Sequence, residues 1–67
     1  MKVFINGLDT EVPAGTTIST LLGIIGEPEA SDMIIEINHR FIPTQDYEVT
    51  CLQDGDSIEV IHLAMGG

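Results

Sequence analysis

The chain of 67 residues carries few side chains able to do chemistry unaided. Ser19, Ser31 and Ser57 are candidate hydroxyl nucleophiles, and only His39 and His62 are candidate bases. Their spacing matches no triad, an arrangement defined by geometry in any case, and surface or strand roles are the simpler reading. One cysteine and two separated histidines give no zinc-ligand spacing. Cys51 has no basic neighbour in sequence to activate it as a nucleophile, so a small buried apolar role is expected for it. Asp54-Gly55-Asp56 resembles a fragment of a calcium loop without the further oxygen ligands, and reads as a tight turn. Gly66-Gly67 stands apart from these. An extended tail of Ala64, Met65, Gly66 and Gly67 would reach roughly 13 Å. Two glycines thread a narrow channel because they lack Cβ, which suits delivery of the Gly67 carboxylate into another protein's active site.

Composition narrows the class. A domain of this size buries only roughly 60 % of the surface its unfolded chain exposes. With 43 % apolar residues there is material for one compact core and none for an enclosed substrate cavity. Two basic residues, Lys2 and Arg40, face eleven acidic ones, for a net charge of −9. Such a chain cannot replace counterions on nucleic acid, and an anionic membrane repels it. It is steered toward basic surfaces. No apolar run is long enough for a signal peptide or a membrane span, so the expectation is a cytoplasmic protein.

The elements that must position the tail follow from periodicity. Residues 1–5 are rich in strand formers, and Asn6-Gly7 suits a type I′ hairpin turn. Residues 8–12 return as a second strand, with Met1, Val3, Ile5, Leu8, Thr10 and Val12 on the core face and Phe4, Asp9 and Glu11 opposite. Pro13-Ala14-Gly15 breaks the strand. Thr16 or Thr17 caps a helix in which Ile18, Leu21, Leu22 and Ile25 share one face, and Gly26 stops it. Residues 33–38 form a third strand with Met33, Ile35 and Ile37 inward. Asn38-His39-Arg40 turns the chain into a short strand at Phe41-Ile42. Residues 44–51 are irregular, with room for one helical turn near Tyr47. Residues 57–65 form the last strand, with Ile58, Val60, His62 and Ala64 on one face and Glu59, Ile61, Leu63 and Met65 on the other.

This order, a hairpin, a helix, and a final strand returning to the middle, is an α+β pattern of the β-grasp (ubiquitin-like) type. It implies a mixed sheet of four to five strands with one helix across one face, all in a single domain over residues 1–67. The first and last strands then run parallel, side by side.

Over essentially its whole length the chain resembles the ThiS group of sulfur-carrier proteins. The resemblance rests on the Asn6-Gly7 hairpin, Gly15-Thr16-Thr17 leading to Leu21-Leu22, Ile37-Asn38 followed by Ile42-Pro43, and the aromatic Tyr47. It continues through Leu52-Gln53-Asp54-Gly55-Asp56-Ser57-Ile58-Glu59 to the terminal Gly66-Gly67. Thr44, the His39-Arg40 turn and Cys51 depart from the usual pattern.

The resemblance implies a carrier and not an enzyme. A ThiF-like E1 adenylyltransferase, using ATP and Mg, would adenylate the Gly67 carboxylate. A cysteine-derived persulfide would convert it to a thiocarboxylate, and a thiazole synthase (ThiG-like) would take the sulfur for thiamine biosynthesis. Molybdopterin, cysteine or homocysteine synthesis are alternative destinations. A ubiquitin-like modifier and a non-covalent interaction module are the alternative functions. No stably bound cofactor or metal is expected, and the free carrier is expected to be monomeric. Phe4, Ile34, Ile61 and Leu63 should form an apolar docking patch on the outer sheet face. Asp54, Asp56 and Glu59 are candidates for pairing with basic groups of the activating enzyme.

Overall fold

The computed structural model describes residues 1–63. Two strands, β1 (Lys2–Ile5) and β2 (Leu8–Glu11), form the opening hairpin, with Ile5 opposite Leu8 and Val3 opposite Thr10. Asn6 and Gly7 both take positive φ, at 49° and 84°, as a type I′ turn requires. Helix α1 (Ile18–Ile25) follows. Thr17 caps it by accepting the Thr20 N–H at 3.2 Å, and Gly26 ends it in the left-handed region at φ 72°. Strands β3 (Met33–Ile37) and β4 (Arg40–Ile42) make a second hairpin, whose turn residues Asn38 and His39 are also left-handed. A single 3-10 turn at Thr44–Asp46 leads to Tyr47, and β5 (Ser57–His62) closes the sheet.

The sheet order is β2-β1-β5-β3-β4. Strands β1 and β5 are parallel, and every other pairing is antiparallel. The expected β-grasp layout is therefore present, with β5 at the centre. Ile18, Leu21 and Leu22 of the helix join Val3, Ile35, Ile37, Ile58 and Val60 in one buried core, which Tyr47 and Leu52 extend. Each such side chain contributes about 1.5–3 kcal/mol on leaving water, which holds an eight-residue helix that would be marginal alone. No described helix is long and apolar enough to cross a membrane.

Three expectations require correction. Leu8 was placed on the core face but is 71 % exposed. It faces an open cleft of about 260 Å³ with Ile25 and His62, because the helix stops before covering the end of the hairpin. Cys51 is exposed, not buried, although its backbone bridges to Thr17. The last strand stops at His62, so Leu63 lies beyond it. The expected continuation through Ala64 and Met65 falls outside the described residues.

Candidate functional site

The end of β5 is held by contacts to Val60, His62 and Leu63. The Asn6 side chain holds Val60 of β5 at both polar atoms: Oδ1 accepts the Val60 N–H at 2.9 Å, and Nδ2 donates to the Val60 carbonyl at 3.3 Å. His62 stands between two carboxylates, with Nε2 3.2 Å from Glu27 and Nδ1 3.8 Å from Asp32. The Leu63 N–H donates to the Asp32 carbonyl at 2.9 Å. The loop after the helix thereby fixes His62 and Leu63 at the end of β5. Ala64, Met65, Gly66 and Gly67 lie outside the described residues.

The outer sheet face, opposite the helix, is arranged in rows by the strand register. Nearest the end of β5, Ile34 and Ile61 are direct cross-strand partners, both half-buried, and Leu63 is 46 % exposed beyond them in sequence. The next row places Glu59 opposite Glu36, and Glu36 opposite Phe41. Phe4 belongs to a further row, opposite Asp9 on one side and Ser57 on the other. The structure thus pairs Ile34 with Ile61 at one end of the face, with Leu63 just past the strand end. Phe4 is separated from them by the carboxylate row, so the four do not make one continuous apolar patch. Phe41, 63 % exposed on the same face, was not anticipated; the β3–β4 register alone reveals it.

The three acidic candidates occupy different settings. Asp54 accepts the Lys2 N–H at 2.9 Å. Asp56 accepts the Gln53 N–H at 2.8 Å and the Asn38 side-chain amide at 3.0 Å, while Asn38 Oδ1 accepts the Ser57 N–H at 3.0 Å. Both aspartates therefore organise the turn that launches β5. Glu59 projects from the outer face, 3.7 Å from His39 Nδ1. Glu36, His39 and Glu59 are the described residues whose donor atoms gather closely enough to hold a metal ion. At the far edge, Asp9 3.1 Å from the Lys2 ammonium raises the pKa of that exposed lysine through hydrogen bonding and charge.

Comparison with known proteins agrees with this architecture. A crystal structure of the thiamine biosynthesis protein ThiS from Geobacter metallireducens superposes with a TM-score of 0.86, covering 100 % of both chains at 23 % identity. The solution structure from the same organism gives 0.77, covering 100 % of this chain and 88 % of the other, also at 23 % identity. At that identity the likeness shows the fold. In sequence, thiazole synthases of Paramagnetospirillum magneticum and Magnetococcus marinus match the whole chain at 31 % and 37 % identity. The chain spans 20 % of the length of each of these relatives. The model of the ThiS family matches residues 3–67, from the first strand through Gly66-Gly67. The chain belongs to the ThiS family.

Proposed function

We propose that this chain is a sulfur carrier, a co-substrate and not itself an enzyme, whose working group is the Gly67 carboxylate. The observation that carries this reading is the family match running through Gly66-Gly67 on a β-grasp domain. In the proposed cycle a ThiF-like E1 enzyme binds the carrier with ATP and Mg. The Gly67 carboxylate attacks the α-phosphate, releasing pyrophosphate and forming an acyl-adenylate. A cysteine-derived persulfide then attacks the acyl carbon and expels AMP. A second thiol cleaves the resulting S–S bond and leaves a thiocarboxylate.

The domain's part is presentation. Strand β5 is paired with β3 through His62, and the Asn6 side chain holds it at Val60 where β1 has turned away, so its end is a fixed origin for the tail. Docking turns a chance encounter into a positioned reaction, while the partner enzymes provide the acid–base groups and phosphate clamps. Ile34, Ile61 and Leu63 lie beside that origin and suit the docking role. A thiazole synthase (ThiG-like) is the proposed sulfur acceptor, supported by the two relatives of that name.

The test is intact mass spectrometry after incubation with a ThiF-like enzyme, ATP, Mg and a sulfur donor. Replacement of one Gly67 oxygen by sulfur is expected, with subsequent loss of that sulfur to a thiazole synthase. A mass unchanged under conditions that load a known ThiS protein overturns the reading.

A further inference from the structure

Glu36 of β3 and Glu59 of β5 are direct cross-strand partners on the outer sheet face. The left-handed β3–β4 turn swings His39 over the same row, with Nδ1 3.7 Å from Glu59 Oε1. One donor atom from each of the three side chains lies within 4.8 Å of the others. We propose that Glu36, His39 and Glu59 form a binding site for a divalent cation of the zinc class.

Three features of the site support the assignment. The first is reach. Donors about 2.0–2.2 Å from a tetrahedral zinc ion stand about 3.3–3.6 Å apart, so closure asks each side chain to move by about 1 Å. Glu36 and Glu59 are only partly buried and the His39 side chain is 87 % exposed, so all three are free to make that movement.

The second is charge. Like charges directly opposed across a sheet destabilise it. Among the described residues no lysine or arginine stands within salt-bridge reach of either glutamate; Lys2 is engaged with Asp9. His39 is the one basic group that answers the pair, and a bound cation would neutralise it.

The third is donor type. One imidazole with two carboxylates favours zinc and its first-row neighbours, whereas calcium and magnesium call for more oxygens. His62 provides the contrast. Its two ring nitrogens face different carboxylates on opposite sides, which makes a bridge and not a chelate. Three protein donors leave a fourth position open to water or to a group on a molecule docked against this face. The site is independent of any sulfur chemistry at Gly67.

The test is calorimetric titration of the 67-residue protein with zinc chloride. Binding of one equivalent is expected. His39→Asn, which suits the left-handed backbone at that position, and Glu59→Gln, which relieves the opposed charges, should each weaken it at least tenfold. His62→Gln should leave it within threefold of wild type. Wild-type binding no tighter than that of His39→Asn and Glu59→Gln, or binding lost equally on His62→Gln, overturns the assignment.

Discussion

The side-chain amide of Asn6 acts as a surrogate peptide group for Val60. The β1–β5 ladder pairs Phe4 with Ser57 and Ile5 with Ile58, and there the main chain of β1 turns away into its hairpin. Asn6 replaces the missing strand with one accepted and one donated hydrogen bond, at 2.9 and 3.3 Å. The same residue sits at φ 49°, where asparagine is tolerated better than most. Asn6→Ala should lose both bonds and add backbone strain, for about 3 kcal/mol. Asn6→Gly removes only the bonds and should cost about 2 kcal/mol. Urea denaturation of the two variants separates the contributions.

Asp56 is a structural residue by its bonds, and this has a measurable consequence. Asp56→Ala should destabilise the domain by about 1–2 kcal/mol, because the Gln53 N–H and the Asn38 amide lose their acceptor. Denaturation together with a binding assay on the proposed ThiF-like enzyme decides its role. A variant of unchanged stability and weakened binding would make Asp56 a docking residue instead.

The Ile34–Ile61 pair should behave oppositely. Both side chains are half-buried, so Ile61→Ala should lower stability by less than about 1.5 kcal/mol. Its binding to a ThiF-like enzyme should fall at least about tenfold, equivalent to 1.4 kcal/mol. Surface plasmon resonance against the immobilised enzyme measures this, and unchanged affinity in the Ile34→Ala/Ile61→Ala double variant removes the pair from the docking surface.

Leu21 is fully buried between helix and sheet. Leu21→Ala should cost about 2–5 kcal/mol, and a domain this small has only a few to spare. The thermal midpoint, followed by circular dichroism, should fall by at least about 10 °C.

Tyr47 is the sole tyrosine, 2 % exposed. Burial raises its phenol above the ordinary 10.0, opposed by a hydrogen bond with Thr44 and assisted weakly by the charge of Glu29. The folded protein therefore holds this proton more firmly than the unfolded chain does. The resulting stability is full below pH 10 and is lost as pH rises through the folded-state value. An absorbance titration of the phenolate should show a midpoint above that of free tyrosine. Tyr47→Phe should lessen the alkaline loss of stability.

Much of the fold was legible because it is written in short-range periodicity. Asn6-Gly7 set the first hairpin and its register, the 18-21-22-25 spacing marked the helix face, and alternation in β3 separated Met33, Ile35 and Ile37 from Ile34 and Glu36. What escaped depends on the alignment of segments distant in sequence. The row of Glu36, Glu59 and Phe41 that divides Phe4 from Ile61 follows from β3–β4 and β3–β5 registers that no local pattern specifies. The exposure of Leu8 depends on where a helix elsewhere in the chain stops, and the internal bonds of Asp54 and Asp56 depend on β1 and Asn38. Of the candidate site, the outward direction of Ile34 and Ile61 followed from strand alternation, whereas their direct pairing and the convergence of His39 on two glutamates did not.

The placement of β5 at the centre of the sheet has a bearing on biosynthesis. Among the described residues the β2-β1 and β3-β4 hairpins share no ladder with each other, and each meets the rest of the sheet through β5. A nascent chain on the ribosome would therefore carry two unjoined halves until residues 57–62 had cleared the exit tunnel. Its core would then form late, once β5 joins the two hairpins into one sheet.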